Sequence, residues 1–191
     1  MQRGLIMGIH YFLAIRIPEH QANDIHQQIQ QHSGLHFKRW VHPLDYHITL
    51  AFLGEPVSDR QLAQLSGDVA EALKEDPVFQ LEIGGLQTFG PANSPRILWV
   101  GTKPSRYLDE VRKKVYTLAG KSGFALDPKP FHPHITVARK WDSKTEFDLP
   151  DQTLPFQPFR AAAAELLKTN PDQTPKYETI QTYPLRSEET L

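Results

Sequence analysis

His47-Ile48-Thr49-Leu50-Ala51-Phe52-Leu53-Gly54 reads as a buried strand that carries two polar residues on one face. Side chains at i and i+2 of a strand point the same way, so His47 and Thr49 stand side by side among apolar neighbours. The phrase returns as His134-Ile135-Thr136-Val137-Ala138, displaced by 134 − 47 = 87 residues, a little under half of the 191-residue chain. One histidine and one threonine on a strand are more often a satisfied structural pair than a site. Two copies in equivalent places point to chemistry, and the chain is expected to bring both pairs to one cleft.

Outward from the first copy, Ile9 to Ile17 reads as a buried first strand ended by Pro18. Ala22, Ile25 and Ile29 mark the inner stripe of a helix stopped by Ser33-Gly34. His36 to Val41 is a short aromatic and basic segment, and His42-Pro43-Leu44-Asp45 is a turn. Past the phrase, Ser58 or Asp59 caps a helix with Leu62, Leu65, Val69 and Leu73 on one face. Val78 to Ile83 alternates as a strand, Gly84-Gly85 suggests a bulge, and Leu86 to Phe89 continues it.

The second half repeats the order. Arg96 to Gly101 is a buried strand, and Leu108, Val111, Val115 and Leu118 line a helix ended by Gly120 and Gly123. A Pro-rich approach leads to the second phrase, a strand over 134–139, and residues 140–155 read as loop. Phe159 to Lys168 favours helix by its alanines. Its place before a Pro-rich turn and a last strand, Tyr177 to Leu185, favours a strand instead, which is the reading adopted. The expected fold is α+β: two pseudo-symmetric lobes, antiparallel-rich sheets facing a central cleft, helices outside. One bilobal domain is expected over 9–185, with a flexible leader over 1–8 and a tail over 186–191.

A formal net charge of −1 provides no global basic field to draw the chain to nucleic acid or membrane, so any RNA contact must use a local patch. Lys38, Arg39, Lys129, Arg139 and Lys140 flank the two phrases and are candidates for it. The chain has no cysteine, which excludes disulfides, thiolate catalysis and Cys-based metal centres. No apolar run approaches the roughly 20 residues of a membrane helix, and the first residues lack a signal-peptide pattern. A cytoplasmic monomer without cofactor is expected.

Histidine changes charge near neutral pH, so two facing one substrate form an acid–base pair when one is protonated and the other neutral. Threonine hydroxyls donate to an anionic oxygen without adding charge. Paired His-x-Thr strands thus make a four-point clamp for a phosphate, equipped to open a cyclic phosphodiester with water by in-line displacement. A metal reading is weaker. His132-Pro133-His134 has ligand-like spacing, but Pro133 stiffens it and no carboxylate lies nearby. His10, His20, His26 and His32 are expected to be solvated.

Several stretches resemble the two-histidine (2H) phosphoesterase superfamily, in particular its RNA 2′,3′-cyclic phosphodiesterase branch, also called 2′-5′ RNA ligase-like. They are Arg39-Trp40-Val41, His47 through Glu55, Arg96 through Gly101, Pro130 through Arg139, and the opening Tyr11 through Pro18. The resemblance covers about Ile9 to Leu185. It implies metal-independent hydrolysis of an RNA-terminal 2′,3′-cyclic phosphate to a 2′-phosphomonoester, with RNA 3′ ends or nucleotides bearing that phosphate as partners. It implies that His47 donates the proton and His134 accepts it, that Thr49 and Thr136 hold phosphate oxygens, that Arg139 binds substrate, and that Phe12 or a neighbour contacts the base. Strict alternation puts Arg139 on the face opposite His134, so it reaches the cleft only if the strand bends or ends before it. Thr169 stands where the family has a serine, and Tyr177 is expected to pack between lobes. The alternatives are a phosphodiesterase for small cyclic nucleotides or an ADP-ribose cyclic phosphate, and a non-catalytic RNA-binding module.

Overall fold

The computed structural model describes residues 8–32, 34–149 and 156–187. The first half runs β1 (Tyr11–Arg16), α1 (Glu19–Gln30), β2 (Phe37–Trp40), a 3₁₀ turn (Pro43–Asp45), β3 (His47–Gly54), α2 (Asp59–Leu73), β4 (Phe79–Leu81) and β5 (Ile83–Phe89). The second runs β6 (Ile97–Thr102), α3 (Arg106–Lys121), β7 (His134–Trp141), β8 (Phe159–Ala161), β9 (Ala163–Thr169) and β10 (Tyr177–Pro184).

The helices follow their apolar stripes. α1 buries Ala22, Ile25 and Ile29; α2 buries Leu65, Val69 and Leu73; α3 buries Leu108, Val111, Val115 and Ala119. Each Val, Leu or Ile side chain so buried contributes about 1.5–3 kcal/mol. Ala119, four residues after Val115, takes the inner position expected for Leu118, which is half-buried beside it. Ser58 Oγ accepts the Gln61 N–H at 3.2 Å and Ser105 Oγ accepts the Leu108 N–H at 3.3 Å, closing the first turns of α2 and α3.

Eight strands form one antiparallel sheet in the order β10-β9-β1-β3-β7-β6-β5, with β2 on β7 alongside β3, and β4 and β8 form a separate two-stranded sheet. β3 and β7 meet through a single bridge, Ile48 to Ile135, so the sheet is two half-sheets hinged at the two His-x-Thr strands. The halves match. β4 and β5 have the same lengths as β8 and β9, and β4 and β8 pair with each other across the molecule. The alanine-rich segment is strand because β9 lies between β1 and β10 and pairs with both, a tertiary context that overrides helix propensity. The Gly84-Gly85 bulge appears as a register shift between Ile83 and Leu86. The α+β, two-lobed architecture is as expected.

The expected leader, except Gly8, and the tail beyond residue 187 lie outside the described residues. Arg186 is tied in: its N–H donates to the Asp76 carbonyl at 2.8 Å, and its carbonyl accepts the Val78 N–H at 3.0 Å.

Candidate active site

Ile48 and Ile135 point into the core and are fully buried. Their neighbours His47, Thr49, His134 and Thr136 face the other way and are half-buried. Antiparallel register through the Ile48–Ile135 bridge sets His47 beside Thr136 and Thr49 beside His134. The two phrases are therefore one cluster on the cleft floor.

Each imidazole is held by the carbonyl two residues before it. His47 Nδ1–H donates to the Asp45 carbonyl at 2.7 Å, and His134 Nδ1–H donates to the His132 carbonyl at 2.6 Å. A carbonyl can only accept, so the proton is on Nδ1 and both Nε2 atoms are left for a substrate. Phe12 packs against His47 at 4.9 Å and Tyr177 stands edge-on to it at 5.1 Å, while Phe89 and Trp99 flank His134. Phe12 is 4% exposed, which leaves almost no ring surface for a base; it backs His47 instead. Tyr177 pairs in register with Thr169 at the rim.

Burial pushes the His47 pKa down to about 4, helped by Arg16, His134 and Arg139 and opposed by the Asp45 carbonyl. Burial also lowers His134, with His132 and Arg139 adding to it and the His132 carbonyl opposing. The His47 value lies below the ordinary 6.5, so the unfolded chain binds the extra proton between the two values. Stability from this group is complete above pH 6.5 and is lost as pH falls toward 4, by at most about 3 kcal/mol. Urea unfolding at pH 7 and pH 4.5 should show a larger acid loss for the wild type than for His47→Gln; equal losses contradict the burial.

Arg139 reaches the cleft through a bulge. In the β6–β7 ladder Leu98 pairs with Ala138 but Trp99 pairs with Thr136, so Val137 is an extra residue. Val137 and Ala138 are both buried, and Arg139 returns to the histidine face. The same slip occurs in β3, where Leu13 pairs with Ala51 and Ala14 with Thr49, leaving Leu50 extra. It puts Phe52, 54% exposed, at the position matching Arg139 (52 + 87 = 139). Strict alternation fails for both residues for this one reason.

Asp45 is the buried charged residue among those described, 3% exposed. Its carboxylate accepts the N–H groups of Lys176 at 2.8 Å and Tyr177 at 3.0 Å. Arg16, opposite His47 in register, pairs with Glu165 at 3.0 Å and donates to the carbonyls of Leu44 and Tyr177. Together they lock the turn before His47 to the start of β10. His26, expected to be solvated, shares a hydrogen bond of 3.0 Å with the Tyr46 hydroxyl.

One cavity flanks each half of the cluster. The first, about 520 Å³, is walled by Thr49, Phe52, Phe89, Lys129, Phe131 and His134. The second, about 340 Å³, is walled by Arg39, Trp40, His42, Arg139, Lys176 and Tyr177. Among the described residues no three His, Cys, Asp or Glu side chains gather to hold a metal ion.

A family model described as the 2′-5′ RNA ligase superfamily matches residues 17–173. The chain belongs to that superfamily. An RNA 2′,3′-cyclic phosphodiesterase of Bacillus subtilis is 37% identical over 175 residues, covering 90% of this chain and 93% of that protein. One of Geobacillus stearothermophilus is 41% identical over 185 residues, covering 92% of this chain; the chain spans 57% of that relative's length. The crystal structure of Escherichia coli LigT complexed with 3′-AMP superposes with a TM-score of 0.75 at 25% identity, covering 92% of this chain and 97% of that one.

In this member of the superfamily, sequence reasoning located the His-x-Thr pairs and missed Asp45, Arg16 and Tyr46. Asp45 reads as an ordinary turn former, and its partners are more than a hundred residues away. A charged residue two before the histidine, just after a proline turn, was the available signal.

Proposed function

We propose that this chain is an RNA 2′,3′-cyclic phosphodiesterase that opens a terminal 2′,3′-cyclic phosphate to a 2′-phosphomonoester without a metal ion. The observation that carries this reading is the meeting of two Nδ1-anchored histidines, each beside a threonine, at one strand junction. His134 Nε2 takes a proton from water as its oxygen bonds to phosphorus. The bond from phosphorus to O3′ breaks in line, and His47 gives its Nε2 proton to O3′. Thr49 and Thr136 donate to the non-bridging oxygens, and Arg139 supplies the cation. The cycle consumes one water and leaves His134 protonated and His47 neutral; solvent restores both.

The direction of transfer follows the superfamily resemblance. The unliganded protein favours neutral His47, so this direction requires the bound phosphate anion to hold a proton there. Action as a monomer in the cytoplasm goes with the reading. No described helix is long and apolar enough to cross a membrane.

The active form has His47 protonated and His134 neutral, and both histidines are lowered from 6.5 in the free protein. The pH profile of kcat/KM on a 2′,3′-cyclic nucleotide should be a bell with its maximum below pH 6.5, unchanged by chelator. An optimum above pH 7, or loss in chelator restored by zinc, overturns the reading.

A further inference from the structure

We propose that the cavity of Arg39, Trp40, Arg139, Lys176 and Tyr177 is a subsite for a second nucleotide, the one joined 5′ to the residue that carries the cyclic phosphate. The inference rests on the phosphodiesterase reading and adds a substrate length to it.

Charge comes first. Arg39 on β2 and Arg139 on β7 are direct cross-strand partners. Like charges set opposite each other destabilise a sheet, so this pairing is a cost to the fold. Lys176 brings a third cation to the same cavity. Among the described residues none of the three has a carboxylate within salt-bridge distance. The one carboxylate in the wall, Asp45, is occupied by the backbone N–H groups of Lys176 and Tyr177. Such a cluster is completed by an anion from outside. The reacting phosphate satisfies Arg139, which reaches the histidines, and leaves Arg39 and Lys176 for another.

Shape and symmetry come second. Trp40 and Tyr177 provide two half-buried aromatic faces, and a volume of about 340 Å³ lies in the range of small-molecule sites. The cavity is also the image of the one beside His134. Pro43 corresponds to Pro130 (43 + 87), His42 to Lys129 (42 + 87), and Phe52 to Arg139 (52 + 87). A phosphate held between the histidines therefore has a nucleoside-sized cavity on either side. In the cavity with Phe52, Phe89 and Phe131 the two cations are engaged, Lys129 by Asp127 at 3.1 Å and Arg112 over the Tyr116 ring, so it suits the terminal nucleoside. The cationic one suits a nucleotide that brings its own phosphodiester. A metal ion is repelled by three cations.

The test compares kcat/KM for a dinucleotide ending in a 2′,3′-cyclic phosphate with that for the matching mononucleotide. Arg39 is exposed and Lys176 half-buried, so Arg39→Ala and Lys176→Gln are expected to fold, which melting curves check. The wild type should favour the dinucleotide by about tenfold or more, one charge-assisted contact's worth. Each variant should bring that ratio toward one, and the wild-type ratio should shrink with added salt. A ratio near one in the wild type, or one that both variants keep, overturns the subsite while leaving the phosphodiesterase reading intact. Inhibition of mononucleotide turnover by a separate 5′-hydroxyl dinucleotide, without a dinucleotide preference, overturns the upstream assignment. No turnover of either substrate by the wild type overturns the phosphodiesterase reading and the subsite with it.

Discussion

His47→Ala and His134→Ala should each lower kcat on a 2′,3′-cyclic nucleotide by about 10²–10⁴-fold, with the fold retained. The magnitude is that of losing a positioned acid or base, because Nε2 is the only atom of either ring free to exchange a proton with the substrate. Retention of fold follows from placement. Both side chains face the cleft, whereas the core contacts of the junction are made by Ile48 and Ile135. The two losses should not add in the double variant, since acid and base act in one step. Steady-state kinetics with circular dichroism on the same samples decides the matter. A variant that folds and keeps near-wild-type kcat removes that histidine from the mechanism.

Asp45→Ala should be the most damaging change away from the reacting atoms. It removes the acceptor for two partly buried backbone N–H groups, at a cost of about 1–3 kcal/mol in stability. It also frees the turn whose carbonyl orients His47. Displacing a proton donor by about an ångström costs on the order of 10²-fold, so kcat should fall by about 10- to 100-fold with KM little changed. Asp45→Asn keeps one acceptor oxygen and should lie between. Urea unfolding and kcat measured together test both halves. Wild-type activity with lost stability shows that the turn does not position His47, and wild-type stability shows that the Asp45 carboxylate does not anchor the start of β10.

The paired His-x-Thr strands were legible because strand alternation has a period of two and the repeat supplied its own control. Helix faces were legible to within one residue, Ala119 for Leu118, because the stripe is set by the 3.6-residue turn. Arg139 was not placed by pattern. Val137-Ala138 are two apolar residues in a row, and nothing in hydropathy separates an ordinary strand from a bulge there. The contact of Phe12 or a neighbour with the base came from the resemblance, and a strand's sequence does not say which of its faces another ring covers; Tyr177, packed edge-on against Phe12, lies on a strand at the far end of the chain. The segment 159–168 was read as strand from its position against its composition; it is strand, but broken at Ala162 into β8, which pairs with β4, and β9, which pairs with β1 and β10. The turn position of Asp45 was a signal, but the partners of Asp45 and Arg16 are set by tertiary contact alone and were not legible.

The central claim is that the paired histidines direct water to open the ring by expelling O3′. Phosphorus NMR of a 2′,3′-cyclic nucleotide incubated with the protein in chelator tests it most directly. The expected spectrum shows the cyclic phosphate resonance replaced by that of a 2′-phosphomonoester alone. A 3′-phosphomonoester, or a cyclic phosphate that persists unchanged, contradicts it.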